Sequence, residues 1–235
     1  RKALEVAQGD QAKALAILKK NSSEIAQKKL SREVKDGRVA IKASGNKAVL
    51  VALHCETDFV ARNEDFVGLL QQLTDLAFAQ GVAEMKKGAK EIIDGVIQKT
   101  GENIQLGEAY EIEGTILDSY LHNGKIGVMV SLEGGNKELA KDIAMHIAAM
   151  KPEYLSPAEI TAETKQTMHE VFEKEVAGSD KPAEIKKKIL EGKMTTYFKE
   201  RTLTDQPFIK DGETTVGKLL EKASAKIREV RRYSI

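Results

Sequence analysis

Arg38-Val39-Ala40-Ile41-Lys42, then Ser44-Gly45-Asn46, then Ala48-Val49-Leu50-Val51-Ala52-Leu53 is the stretch that decides the fold. Two apolar, β-branched runs on either side of a turn-forming tripeptide read as an antiparallel hairpin. The pattern returns once. Tyr110 to Leu121 and Ile126 to Leu132 are strand-like, and they flank Asn123-Gly124, whose tolerance of positive φ suits a type I′ turn. A helix-period stretch follows each hairpin: Phe66, Leu69, Leu70, Leu73, Leu76 and Ala77 after the first, Leu139, Ile143, Ile147 and Met150 after the second. Aligning Gly45 with Gly124 lays Val49, Val51 and Leu53 over Val128, Val130 and Leu132. The expected fold class is therefore α+β. Two core subdomains, related by a weak internal repeat, each carry an antiparallel sheet covered on one face by helices.

Outward from this core the signals are helical. Leu4 and Ala7 mark one apolar edge and Ala14, Leu15 and Leu18 another, with Gly9 suited to a helix C′ position and Asp10 to an N-cap between them. This small helical module opens on residues that already read as mid-helix, so it is expected to be truncated. Residues 21–36 read as a polar connector or exposed helix. Further on, Ile160, Thr164, Met168, Val171, Phe172 and Val176 step by three and four, Gly178-Ser179-Asp180-Lys181-Pro182 breaks the helix, and Ile185, Ile189, Leu190, Met194, Tyr197 and Phe198 resume it. That is a helical hairpin with charged outer faces. Gln206 to Ile209 reads as extended, Thr215 to Ile227 as helical and Arg228 to Ile235 as an edge strand. The expected organisation is an N-terminal module and connector (1–34), a first core subdomain (35–105), a second (106–156 with 201–235), and an inserted, projecting hairpin (157–200).

Composition narrows the function. In 235 residues, 41% hydrophobic and 31% charged, there is ample material for a core, and no apolar run is long enough to span a bilayer. The single cysteine, Cys55, precludes an internal disulfide and fits a reducing compartment. A net charge of +1, no Trp and 5% aromatics give no general case for direct nucleic-acid binding. The charge is uneven: residues 1–38 hold ten Lys/Arg against five Asp/Glu, a basic stretch that suits a solvated helix face or an acidic partner surface.

His54-Cys55-Glu56 invites a thiol-enzyme reading, because a thiolate beside a histidine is an activated nucleophile. Strand alternation opposes it. Cys55 falls on the face of Val49, Val51 and Leu53, and His54 on that of Leu50 and Ala52. Cys55 therefore reads as a small core residue. His54, His122, His146 and His169 lack metal-ligand spacing, and neither a dinucleotide-binding nor a phosphate-loop glycine motif is present. The sequence calls for no catalytic residue, metal or cofactor, and does not read as an enzyme.

Cys55-Glu56-Thr57-Asp58-Phe59-Val60-Ala61-Arg62-Asn63, followed by Phe66, resembles the signature of the elongation factor Ts family, guanine-nucleotide exchange factors of the translational GTPase elongation factor Tu. Similar stretches lie in the same order: Arg1 to Leu4 with Gly9-Asp10, Ala144 to Ala149 with Pro152, Glu191 to Met194, Gln206 to Asp211, and Thr215 to Gly217. Departures from the pattern are a less alanine-rich stretch from Asn21 to Lys35, the absence of a Thr-Gly-rich opening, and no acidic C-terminal module.

The resemblance implies that Thr57, Asp58, Phe59 and Val60 enter the partner's nucleotide domain near its Mg²⁺ site, Phe59 wedging between two helices and Asp58 positioning the segment. Arg62, Asn63, His146, Met150, Leu4 and Leu15 are implied as secondary contacts, with His146 near the phosphate-binding loop. It also implies a cytoplasmic protein, or one of an organellar matrix if a targeting segment was removed. It leaves open a homodimer or 2:2 complex through the hairpin. Read from the residues alone, Thr57-Asp58 is equally a helix N-cap with Phe59 and Phe66 packing inward, and His146 a core histidine beside Leu139, Ile143 and Met150. A binding or scaffold module of the same fold without exchange activity is the alternative function.

Overall fold

The computed structural model describes residues 1–178 and 181–235. The first hairpin forms as its sequence dictates: β1 (Asp36–Ser44) pairs antiparallel with β2 (Lys47–Cys55), with Ser44 opposite Lys47. Three helices follow, α3 (Asp58–Ala61), α4 (Glu64–Gln80) and α5 (Val82–Thr100), after the N-terminal pair α1 (Lys2–Val6) and α2 (Gln11–Gln27). Strand β3 (Ile104–Glu113) then returns to the open edge of β2, giving the order β1-β2-β3. One face of β2, with Val49, Val51, Leu53 and Cys55, packs against Phe66, Leu69, Leu70 and Leu73 of α4 and Met85, Ile93 and Ile97 of α5.

The second unit repeats the plan. β4 (Ile116–His122) and β5 (Ile126–Glu133) turn at Asn123 and Gly124, with φ of 52° and 67°, the all-positive pair a type I′ turn needs. The third strand is β6 (Lys226–Ser234), from the far end of the sequence. Helix α6 (Lys137–Met150), capped by Asn136 Oδ1 accepting from Leu139 N at 2.9 Å, lays Ala140, Ile143, Ala144 and Ile147 over Val128, Val130 and Leu132. The equivalence of Val49, Val51 and Leu53 with Val128, Val130 and Leu132 is therefore structural: both trios carry the helix-facing core of their sheet.

Helices α7 (Ala162–Ala177) and α8 (Ala183–Arg201) pack on each other through Phe172 and Tyr197, whose rings meet edge-on at 5.5 Å. Among the described residues of this pair only Val176 is buried, so its two helices mainly cover each other. Ser179 and Asp180, in the expected break, lie outside the described residues. A short helix, α9 (Val216–Lys222), precedes β6. At the other end, Asp10 caps α2 by accepting from Lys13 N at 3.1 Å, and α2 runs on through much of the expected connector. It rests on α5 through Ser22 with Gln98 and through Lys19 with Glu91 at 2.5 Å.

Two expectations are revised. Tyr110 to Leu121 is not one strand: Tyr110 to Glu113 belongs to β3 and pairs with β2, whereas β4 starts a new sheet at Ile116. The anticipated division at 105/106 thus runs through a strand, because β2 offers a second hydrogen-bonding edge that only β3 fills. The sheets are also not covered on one face alone. Ala48, Leu50 and Ala52 from β2, with Val39 and Ile112, meet Leu117 and Met129 of the second sheet in a third core. The molecule is thereby layered helix, sheet, sheet, helix. The unbroken apolar run from Ala48 to Leu53, none of it exposed, reflects burial on both faces.

Close approach of the sheets is visible at Gly127. A Cβ there would lie 2.7 Å from Leu50 Cδ1 and 2.8 Å from Val39 Cγ1. Polar contacts close the rim: Lys125 pairs with Asp36 and donates to Gly37 O at 2.8 Å, and His54 Nε2 meets Tyr233 Oη at 2.8 Å. Gly127→Val should force the sheets apart and cost about 1–3 kcal/mol, lowering the melting temperature by about 3–10 °C in calorimetry. An unchanged transition would mean that this contact does not hold the sheets together.

Candidate functional site

The segment leaving β2 is built by burial on one side and exposure on the other. Cys55 has no exposed surface, and its Sγ donates to Thr57 O at 3.2 Å. Burial, reinforced by the Glu102 and Asp36 carboxylates, pushes its thiol up to about 12, so it stays protonated near neutrality. His54 points to the opposite face and bonds Tyr233. The arrangement holds no activated thiolate, as strand alternation anticipated.

Thr57 begins α3 as its N-cap, with Oγ1 accepting from Val60 N at 3.4 Å while the same hydroxyl donates to Glu102. Ala61 is buried and Val60 half-buried against the first core. Phe59 turns the other way. The residue is 83% exposed, whereas Phe66 is fully buried. Of the two ways to read this stretch, the cap holds and the inward packing holds only for Phe66. Asp58 and Arg62 pair at 3.0 Å across one turn in solvent, a contact that contributes little to stability. Asn63 caps α4, its Oδ1 accepting from Asp65 N at 2.9 Å.

His146 departs from its expected place at a partner surface. It sits on α6 with no exposed surface. Its Nδ1 accepts from Ile209 N at 3.2 Å, which leaves Nε2–H to donate to Gln206 Oε1 at 2.9 Å, and its ring stacks on Phe208. Gln206 Nε2 in turn donates to Glu200 O at 2.6 Å. A position on the apolar stripe of α6 gives the ring no route outward, so its role here is to tie α6 to the segment that leaves α8. Met150, one turn further on, is exposed, as are Leu4 and Leu15. Val6 and Ile209, exposed apolar residues of the same kind, were not singled out by sequence, where an isolated apolar residue carries no period. Phe59 and His146 are not brought together: one stands beside the first sheet, the other lies in the helical layer of the second. Among the described residues no cluster of His, Cys, Asp and Glu could hold a metal ion, and no helix is long and apolar enough to cross a membrane.

Burial holds the pKa of His146 below its ordinary 6.5. Below that value the unfolded chain takes up a proton that the folded one resists, so stability present above pH 6.5 is lost as pH falls toward the folded-state pKa. His54, lowered chiefly by burial as well, acts in the same direction. Thermal melts from about pH 7.5 to about pH 5.5 should therefore fall less steeply for His146→Gln than for the unaltered chain, with a remainder from His54. Equal slopes would remove His146 from the acid response.

The family model described as elongation factor TS matches residues 56–235. Over its whole length the chain is 40% identical to elongation factor Ts of Hahella chejuensis, covering 85% of that protein. Against elongation factor Ts of Nitrosomonas eutropha it is 40% identical, and against that of Aeromonas hydrophila 36%, in each case over the whole chain and 84% of the relative. The matched span takes in the exposed Phe59, β3 of the first sheet, all of the second sheet and the helical hairpin. By full-length similarity at this level, the chain belongs to the elongation factor Ts family.

Proposed function

We propose that this translation elongation factor binds elongation factor Tu carrying GDP and drives GDP release by pressing Phe59 into the partner's nucleotide domain, in the cytoplasm where translation runs. The observation that carries the reading is the exposed Phe59 ring on a turn whose other side is anchored in the core. Mg²⁺ requires near-ideal octahedral geometry, so a small displacement of the elements around it weakens both the ion and the phosphates it bridges. Thr57 and Val60 would hold the turn, and Asp58 would position it at the partner surface.

Magnitudes set the division of labour. Exchange is a coupling free energy: what the factor subtracts from nucleotide affinity, nucleotide subtracts from factor affinity. Each tenfold loss of GDP affinity needs about 1.4 kcal/mol of contact made only with the empty partner. Burying one phenyl ring provides about 1.5–3 kcal/mol. A larger acceleration needs further contacts, for which Leu4, Leu15 and Met150 are exposed. His146 contributes by holding the 206–209 segment rather than by touching the partner. Val171 and Ile185 leave exposed apolar positions on the helical hairpin for self-association in a 2:2 complex.

Release of a fluorescent GDP analogue from elongation factor Tu should accelerate as this protein is titrated in. Phe59→Ala should cut the acceleration by about 10- to 100-fold, while an exposed ring's removal shifts the melting temperature by no more than about 2 °C. Release no faster than spontaneous loss, with binding intact, would instead support the scaffold alternative. Full activity in Phe59→Ala would remove the wedge from the mechanism.

A further inference from the structure

The turn between α5 and β3 grips the loop in front of Phe59. Glu102 Oε2 accepts from the backbone N–H groups of Glu56 and Thr57 at 3.1 and 3.0 Å, and its Oε1 accepts from the Thr57 hydroxyl at 2.7 Å. The grip is reciprocal, since Glu56 Oε1 accepts from Asn103 N at 2.6 Å. Asn103 is fully buried, and its Nδ2 donates to Arg32 O at 2.7 Å, just beyond α2. Glu102 reaches this loop from 45 residues further along the chain.

We propose that Glu102 is a positioning residue for nucleotide exchange: its carboxylate fixes the backbone at 56–57 and thereby the angle at which α3 presents Phe59. This rests on the reading of Phe59 as the wedge. A helix of four residues cannot hold its own orientation, because a single turn gains too few hydrogen bonds for the dihedral angles it fixes. Its cap from Thr57 to Val60 is long, at 3.4 Å. The orientation must come from outside the helix: Val60 and Ala61 pin one side to the core, and three bonds to one carboxylate fix the angle at which the turn enters, since charged acceptors bind more strongly than neutral ones. Glutamine at 102 would keep one acceptor oxygen for the two backbone N–H groups but lose the charge that strengthens all three bonds, and its NH₂ would make the Thr57 hydroxyl reverse from donor to acceptor. The turn would swing while Val60 and Ala61 stay packed. A side chain that acts by intrusion loses its effect when its support moves by about 1 Å.

The test follows fluorescent GDP release from elongation factor Tu over a range of factor concentrations, using the full chain, Glu102→Gln, Phe59→Ala and the double variant. Glu102→Gln should lower the maximal release rate about tenfold and shift the half-maximal concentration less than about twofold, because docking contacts elsewhere remain. The double variant should be no slower than Phe59→Ala alone, as both changes abolish one contact. Independent, multiplying losses would overturn the proposal, and so would an unchanged maximal rate in Glu102→Gln beside a damaged Phe59→Ala. No effect in Phe59→Ala would sink the wedge reading instead. Should Glu102→Gln fail to fold, Thr57→Val, which removes only the hydroxyl, should slow maximal release about threefold while Thr57→Ser does not. Equal rates for that pair would also overturn it.

Discussion

Burial of β2 on both faces is the constraint from which the rest of the architecture follows. A strand whose central residues alternate between two apolar environments needs a cover on each side, and the two covers differ. Toward α4 and α5 the cover is local, built from residues that follow the hairpin in sequence. Toward Leu117 and Met129 it is distant, contributed by the second sheet. Full burial of each large side chain on such a strand contributes about 1.5–3 kcal/mol, so Leu50 and Leu53 pull in opposite directions with comparable force. Neither unit can shed the other without returning one of these faces to water.

A rigid two-sheet centre gives meaning to the exposure of Phe59. A phenyl ring left in water forgoes about 1.5–3 kcal/mol of burial that an inward position would supply. That free energy is available to whatever encloses the ring, and little ordering is required at encounter because Ala61, Val60 and Thr57 are already fixed. Asp58 and Arg62, pairing on the same turn in solvent, can exchange their partners cheaply. The immobile side of the turn and the adaptable side are thus separated by a few bonds.

Much of this was legible in the sequence. The Ser44-Gly45-Asn46 and Asn123-Gly124 turns fixed both hairpins, alternation placed Cys55 in the core and His54 across from it, and the 3.6-residue period found α4 and α6. Helix α5 was not legible. Gly88 and Gly95, each unfavourable in a helix interior by about 1 kcal/mol, and four lysines dilute the spacing of Met85, Ala89, Ile93 and Ile97. Helix α3 is too short to show a period. Continuity of the apolar run from Ala48 to Leu53 was the available sign of two-sided burial, yet periodicity cannot say what covers the second face. At the site, the motif marked Phe59, but only three-dimensional packing separates it from Phe66. The stripe of α6 already carried the buried reading of His146, and the resemblance pointed away from it.

Strand β6 carries one more implication. Ile126 of β5 pairs with Ser234, so the second sheet waits for residues made long after its first hairpin. During synthesis on the ribosome, β5 has one bonded edge and one open edge until that strand emerges. Open edges recruit other strands, and slow long-range pairing prolongs the hazard. The back-to-back sheets must close late as well, because Tyr233 and Lys125 join across their rim to His54 and Asp36. A nascent chain interrupted before β6 would be left sticky and unfinished, not as a smaller working factor.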